Sequence, residues 1–206
     1  MHEPMSHALF DGRHLHIVPH AWVGEDEGQT ALLVGGVVQS VLVGDGALGP
    51  GYWPLMLPDA RPKAALILGL GGGTLAHLLA RRFPGVRITG VDNDPDVLRL
   101  ARKAFGVESV VAEIVECDAF ALVVEASTIY DYIAVDLFAA GEIPGAVFQK
   151  PFLKRVKELL TPGGVAGINY FKDRKAAARL HRLEMVFPRV EVRQSRDNVV
   201  AMCHKR

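Results

Sequence analysis

An apolar run that passes directly into a glycine cluster and then into a helical stretch is the feature that most restricts what this chain can fold into. The run AALILGL, residues 64–70, is short and almost wholly apolar, as a strand buried on both faces must be. Gly69, Gly71, Gly72 and Gly73 punctuate its end, and a helical pattern follows over about residues 74–83 until Pro84 and Gly85 close it. Glycines at a strand-to-helix junction let the backbone turn tightly and lie close to a ligand, where side chains would be in the way. The stretch GGGTLA, residues 71–76, also satisfies the G-x-G-x-x-A form of a dinucleotide fingerprint. The cluster alone therefore points to a nucleoside ligand without separating NAD from an adenosyl compound.

The alternation continues downstream. RITGVD, residues 87–92, reads as a second strand, and Asp94 with Pro95 opens the helix DVLRLARKAF, which Gly106 stops. AEIVEC (112–117), YDYIAVDLF (130–138) and VAGINYF (165–171) read as further strands, with a helix over about 149–160 ended by TPGG. After a helix over about 174–186, RVEVRQ and NVVAMCH are separated only by Ser195, Arg196 and Asp197. So short a connection permits only an antiparallel pair. The pattern predicts an α/β fold: a seven-stranded, doubly wound sheet over residues 62–206, covered by helices on both faces, with an antiparallel last strand. Residues 14–43 are short β-prone runs broken by Pro19 and several glycines, and residues 44–62 are rich in Gly and Pro and carry Tyr52 and Trp53. Residues 1–61 are accordingly predicted to form a small N-terminal β-hairpin domain and connector. The 206 residues suffice for one good core, not for two full-sized domains.

Lys plus Arg and Asp plus Glu both number 23, which removes the simplest argument for a nucleic-acid partner. The charges are unevenly spread: residues 1–60 hold seven acids and one base, residues 150–206 fourteen bases and five acids. A solvated surface or head-to-tail complementarity explains that split as well as an acidic partner does. No uninterrupted apolar run reaches the roughly 18 residues of a membrane span. Residues 1–6 do not read as a secretory signal, and Cys117 and Cys203 form no metal-type or redox-type pair. A soluble, cytoplasmic protein with no membrane association is expected. His2, His7, His14, His16 and His20 crowd the amino terminus, but no Cys or clustered acid completes a ligand set, so they read as surface or packing histidines and no metal is expected.

Three successive strands end in an acid. Asp92 lies about twenty residues past the glycines, where a carboxylate can accept both ribose hydroxyls; Asp94 and Asn93 are better placed than Asp92 to cap the next helix. Asp118 follows the third strand and Asp136 the fourth, on what should be one edge of the sheet. An isolated loop Asp means little, and the repetition is what carries weight. Asp136, closing the apolar run YIAV, is well placed to take a proton or hold an amine.

In order and spacing, LILGLGGGTLAHLL, ITGVDND, VECDAF, YDYIAVDLF and FLKRVKELLTPGGVAGINYF resemble the spermidine synthase family within the class I, Rossmann-type, S-adenosylmethionine-dependent methyltransferases, over about residues 30–206. The resemblance favours an adenosyl ligand over NAD. It implies that the backbone of Gly69, Gly71 and Gly73 faces the amino-acid side of the nucleoside, that Asp92 takes the ribose where the family usually has Glu, and that Asp118 and Ala119 meet the adenine edge. Gln39 matches a family glutamine at the ligand's tail, and Asp136 matches the catalytic Asp that helps deprotonate the attacking amine. A homodimer is expected, because in related folds the amino-terminal strands sit between protomers.

The chain also departs from the family. Polyamine synthases carry an Asp in the glycine loop, where this chain has Gly72, and a second Asp three residues past the catalytic one, where it has Ala139. The family's tyrosine segment has no clean counterpart, since Tyr52-Trp53-Pro54 differs in type and spacing. These features favour an S-adenosylmethionine-dependent methyltransferase acting on an unidentified small-molecule acceptor, of which an amine is the expected kind. The alternatives are a polyamine aminopropyltransferase using decarboxylated S-adenosylmethionine, with acids such as Glu142 supplying the missing acceptor contacts, and a non-catalytic, dimeric adenosyl-ligand-binding protein.

Overall fold

The structure, a computed structural model, describes residues 6–10, 15–19, 21–26, 28–44, 51–138 and 141–206. Its centre is one seven-stranded sheet built from β6 (Ala64–Leu68), β7 (Arg87–Asp92), β8 (Glu113–Glu116), β9 (Tyr130–Val135), β10 (Leu160–Phe171), β11 (Arg189–Gln194) and β12 (Asn198–His204). The spatial order is β11-β12-β10-β9-β6-β7-β8. The pairs from β10 to β8 are parallel, and β12 runs antiparallel to both its neighbours, to β11 as the three-residue connection requires.

The apolar strands separate their side chains by parity. Leu66, Leu68, Ile133, Val135, Ala201 and Cys203 face a core shared with α3 (Ala119–Glu125), α4 (Lys150–Glu158) and α5 (Ala176–Glu184). Their neighbours Ala65, Ile67, Tyr132, Ala134, Val200 and Met202 face the opposite core, shared with α1 (Thr74–Arg82) and α2 (Pro95–Phe105). A strand covered on both faces must be apolar at every position, which is why these runs show no polar alternation. α3 is the helix that the sequence pattern does not reveal. It has seven residues, too few for a clear helical period, and its start is fixed by the Asp118 side chain accepting from the Ala121 N–H at 2.8 Å. β10 also starts earlier than its apolar pattern indicates, at Leu160, with its register against β9 shifting between Leu160 and Val165.

Upstream lie an antiparallel pair, β1 (Ser6–Phe10) with β2 (Leu15–Pro19), and a three-stranded antiparallel sheet, β3 (Ala21–Asp26), β4 (Gln29–Val34) and β5 (Val37–Val41). A first strand before residue 14 is an addition to the sequence reading. The three-stranded sheet is fastened to the main core, since Val41 donates to the buried Thr74 hydroxyl at 2.9 Å and accepts from it at 2.8 Å. Ala21 and Leu32 pack with Val97 and Phe105 of α2. Val23, Val37 and Leu42 remain exposed on the small sheet. His2, His14 and His20 lie outside the described residues, as does Ala139. Among the described residues no helix is long and apolar enough to cross a membrane.

Candidate active site at the carboxyl edge of the sheet

β6, β7, β9 and the β8–α3 junction all end at one rim, and their ends enclose a cavity of about 570 Å³. Open parallel sheets bind ligands there, because the strand ends and the helix amino termini leave backbone N–H groups free to face a ligand. Gln39, Gly69, Gly71, Asp92, Asp118, Ala119 and Asp136 all line this cavity. Gly73 does not. It is the left-handed cap of α1, at φ 87°, and a Cβ there would meet Val107 at 2.6 Å, so its task is packing. Gly72 does not line it either, and its Cβ would meet Ser40 and Phe105; Gly71 lines the cavity with its backbone, and a Cβ there would fall 2.7 Å from the Ser40 hydroxyl oxygen. Gly69 is required for a different reason: at φ 88° it lies so close to β9 that a Cβ would fall 2.2 Å from the Asp136 carbonyl.

Asp92 has a structural task that its position in sequence does not reveal. Its carboxylate accepts from the Gly71 N–H at 2.9 Å and from the Asp94 N–H at 3.1 Å, and so holds the glycine loop against the start of α2. Asp94 is the cap of α2, accepting from Asp96 and Val97. Burial pushes the Asp92 carboxyl above its ordinary value, and the backbone N–H groups oppose that rise. Each Asp92 oxygen can still accept from a ligand, since a carboxylate has about four lone-pair sites.

Asp136 stands at the opposite end of the cavity. Asn169 on β10 donates to it at 2.8 Å, and the Tyr52 hydroxyl donates to its two oxygens at 3.1 and 3.0 Å. Asn198 on β12 in turn donates to the Asn169 carbonyl at 3.0 Å, which fixes the Asn169 amide with its N–H toward Asp136. Burial pushes the Asp136 carboxyl up to about 6, against the lowering effect of bonds from Asn169, Tyr52 and Trp53. Tyr52 moves the other way as an acid: burial and then the Asp136 charge hold its phenol well above 10.0, so it remains a donor.

Tyr52, to which the sequence reading gave no role, is brought against Asp136 by the fold. It lies in the connector before the 3-10 turn Trp53–Met56, and two side chains from the main sheet secure that connector. Tyr132 donates to the Met56 carbonyl, while Arg193 of β11 donates to the Leu55 and Leu57 carbonyls at 3.1 and 2.6 Å and grips the Asp59 carboxylate at 2.8 and 2.9 Å. Asn169 and Asn198 were also missed; an Asn within an apolar strand is the one signal that would have found them, because a buried amide needs partners. Glu142 is exposed and outside the cavity lining, though Gly141 and Pro144 on either side of it line the cavity. Among the described residues the lining holds four carboxylates, Asp92, Asp94, Asp118 and Asp136, and no Lys, Arg or His.

Tyr52→Phe is expected to raise the Asp136 pKa above about 6 with little effect on stability, because it removes one bond to the carboxylate and leaves the ring in place. Titration followed by 13C NMR of labelled Asp side chains, with Asp136→Asn as the assignment, measures it; an unmoved pKa would refute the pairing.

Residues 53–173 match the family model of the spermine/spermidine synthase domain. The polyamine aminopropyltransferase of Neisseria meningitidis serogroup A is 32% identical over 136 residues, 65% of this chain and 52% of that protein. The chain thus spans about half the length of the first curated relatives it matches. Human methyltransferase-like protein 13, solved in complex with SAH, is 31% identical with a TM-score of 0.63, covering 69% of this chain and 71% of that one. A probable spermidine synthase from Corynebacterium glutamicum ATCC 13032 superposes with a TM-score of 0.74 at 22% identity over 99% of this chain and 81% of that one, a likeness in fold.

Proposed function

From the premise that the chain belongs to the spermine/spermidine synthase domain family, we propose that it is an S-adenosylmethionine-dependent methyltransferase acting on an amine. The observation that carries this reading is Asp136, a carboxylate poised near neutrality by burial and by Tyr52 and Asn169, facing the same cavity as the glycine loop and Asp92. In this reading Gly69 and Gly71 admit the nucleoside's tail, Asp92 accepts the ribose hydroxyls, Asp118 and Ala119 border the adenine, and Gln39 faces the amino-acid end. The cofactor supplies an electrophilic methyl carbon on its sulfonium. Asp136 would take the proton of the attacking amine, freeing its lone pair for the methyl carbon that the bound cofactor would present. Positioning and the anionic field of the cavity contribute the rest.

Methyl rather than aminopropyl transfer is favoured by what the cavity lacks. Gly69 and Gly71, the loop glycines that line it, bring no acid to pair with a lone ammonium tail. Gln39 offers both an acceptor and donors, which suits a tail bearing an ammonium and a carboxylate together. Among the described residues Asp136 is the one carboxylate lining the acceptor end, bordered by Trp53, Leu137, Phe138 and Pro144, so the far ammonium of a diamine would meet apolar groups there. S-adenosylhomocysteine is therefore expected to bind at least about tenfold tighter than decarboxylated S-adenosylmethionine, and putrescine to yield no spermidine. Calorimetry with these ligands and one aminopropyl-transfer assay measure both. Aminopropyl transfer is the second reading, supported by curated relatives that are polyamine aminopropyltransferases, while others are methyltransferases; preference for the decarboxylated ligand together with spermidine formation would establish it.

A further inference from the structure

Beside this anionic cavity stands a group of cations without ionic partners among the described residues. Lys172, Arg174 and Lys175 follow directly on the end of β10, and Arg196 occupies the turn between β11 and β12. The two segments are joined by the Lys172 N–H, which donates to the Asp197 carbonyl at 2.8 Å. All four cationic side chains are exposed, and none takes part in an ion pair or side-chain hydrogen bond among the described residues. Asp173, between Lys172 and Arg174, is occupied by Arg179 at 3.0 Å, and Asp197, next to Arg196, is the other carboxylate of this corner and is exposed.

Their place relative to Asp136 follows from the strand they extend. Asn169 donates to Asp136, Phe171 packs its ring 5.3 Å from that of Phe138, and Phe138 lines the cavity two residues past Asp136. At a rise of about 3.3 Å per residue, Lys172 begins about 10 Å beyond Asn169, on the side to which the carboxyl ends of the strands point. α5, which follows the cluster, packs on the 3-10 turn Gly145–Phe148, directly after the cavity-lining Pro144. The result is a negative cavity with a positive shoulder about one extended peptide trimer away.

We propose that the acceptor amine is carried by a polypeptide with acidic residues flanking it, and that Lys172, Arg174, Lys175 and Arg196 are the surface that binds those acids. This rests on the amine-methyltransferase reading above and deepens it. A small diffusible cation is drawn to the cavity but repelled by the shoulder, so the shoulder has no use for one. A lysine side chain, in contrast, passes its methylenes along Trp53, Leu137 and Phe138, sets its nitrogen at Asp136 and leaves its neighbours one to three residues away at the shoulder. A nucleic acid fits less well, because a phosphate chain reaching for Asp136 would meet the four cavity carboxylates.

The test measures binding and transfer separately. Fluorescein-labelled EEDKEDE, with a GGSKGSG control, is titrated by anisotropy against the full chain saturated with S-adenosylhomocysteine. The acidic peptide is expected to bind at least about tenfold tighter at low salt, to lose that advantage in 0.5 M NaCl, and to lose it in K172E/K175E and in R174E/R196E while nucleoside affinity is unchanged. Equal binding of the two peptides, no effect of either reversal, or tighter binding of an oligo-dT of similar length would overturn the proposal. Anisotropy requires no turnover, so absence of methyl transfer to a peptide that binds through the shoulder would instead count against the methyltransferase reading.

Discussion

Asp136→Asn is expected to lower turnover by at least about a hundredfold, to leave S-adenosylhomocysteine affinity nearly unchanged, and to make the folded protein more stable at pH 8. The first two effects separate a base that acts on the acceptor from a residue that holds the nucleoside. The third follows from the sign of the pKa shift. With its carboxyl raised from the ordinary 3.8 to about 6, the folded state binds the Asp136 proton more tightly than the unfolded chain does. That contribution is fully present below about pH 4 and is lost as the pH rises through about 6; at pH 8 the ionised group costs the fold on the order of 3 kcal/mol. Asparagine has nearly the same shape, keeps an oxygen for Asn169, and carries no charge to desolvate. A gain of roughly 6–12 °C in Tm at pH 8, and none at pH 4, is the expected calorimetric result. Unchanged stability at pH 8 would mean that the carboxylate is better solvated than its surroundings imply, and parallel loss of ligand binding would move Asp136 into the nucleoside site.

Asp92→Ala is expected to weaken nucleoside binding by at least about a hundredfold, the worth of two charge-assisted hydrogen bonds. Unlike a purely ligand-facing residue, it is also expected to destabilise the empty protein by about 1–3 kcal/mol. The Gly71 and Asp94 N–H groups both lose their acceptor in the variant, and the glycine loop loses its tie to α2. Asp92→Asn preserves one acceptor oxygen and should fall between wild type and Ala on both measures. Calorimetric titration with S-adenosylhomocysteine together with urea denaturation reads the two effects independently; wild-type affinity in the Ala variant would remove Asp92 from the ribose.

The sequence by itself determined the architecture of the main sheet. Apolar runs with no polar alternation, spaced by helical stretches, admit little other than strands covered on both faces, and the three-residue link from β11 to β12 forces an antiparallel turn. It also determined the ends of the strands, and with them Asp92, Asp118 and Asp136, because ligands in such sheets collect where parallel strands stop. It could not assign tasks within the glycine cluster. Whether a glycine is packed against a hydroxyl, a neighbouring strand or a valine depends on the direction of a Cβ that is not there, and only the tertiary structure separates Gly71 against Ser40 from Gly69 against Asp136 and Gly73 against Val107. Nor could it find Tyr52, Asn169 and Asn198, whose partners lie 84, 33 and 29 residues away. Contacts over such separations are fixed by how β9, β10, β12 and the Arg193-held connector meet in space, and no local period in the chain encodes that meeting.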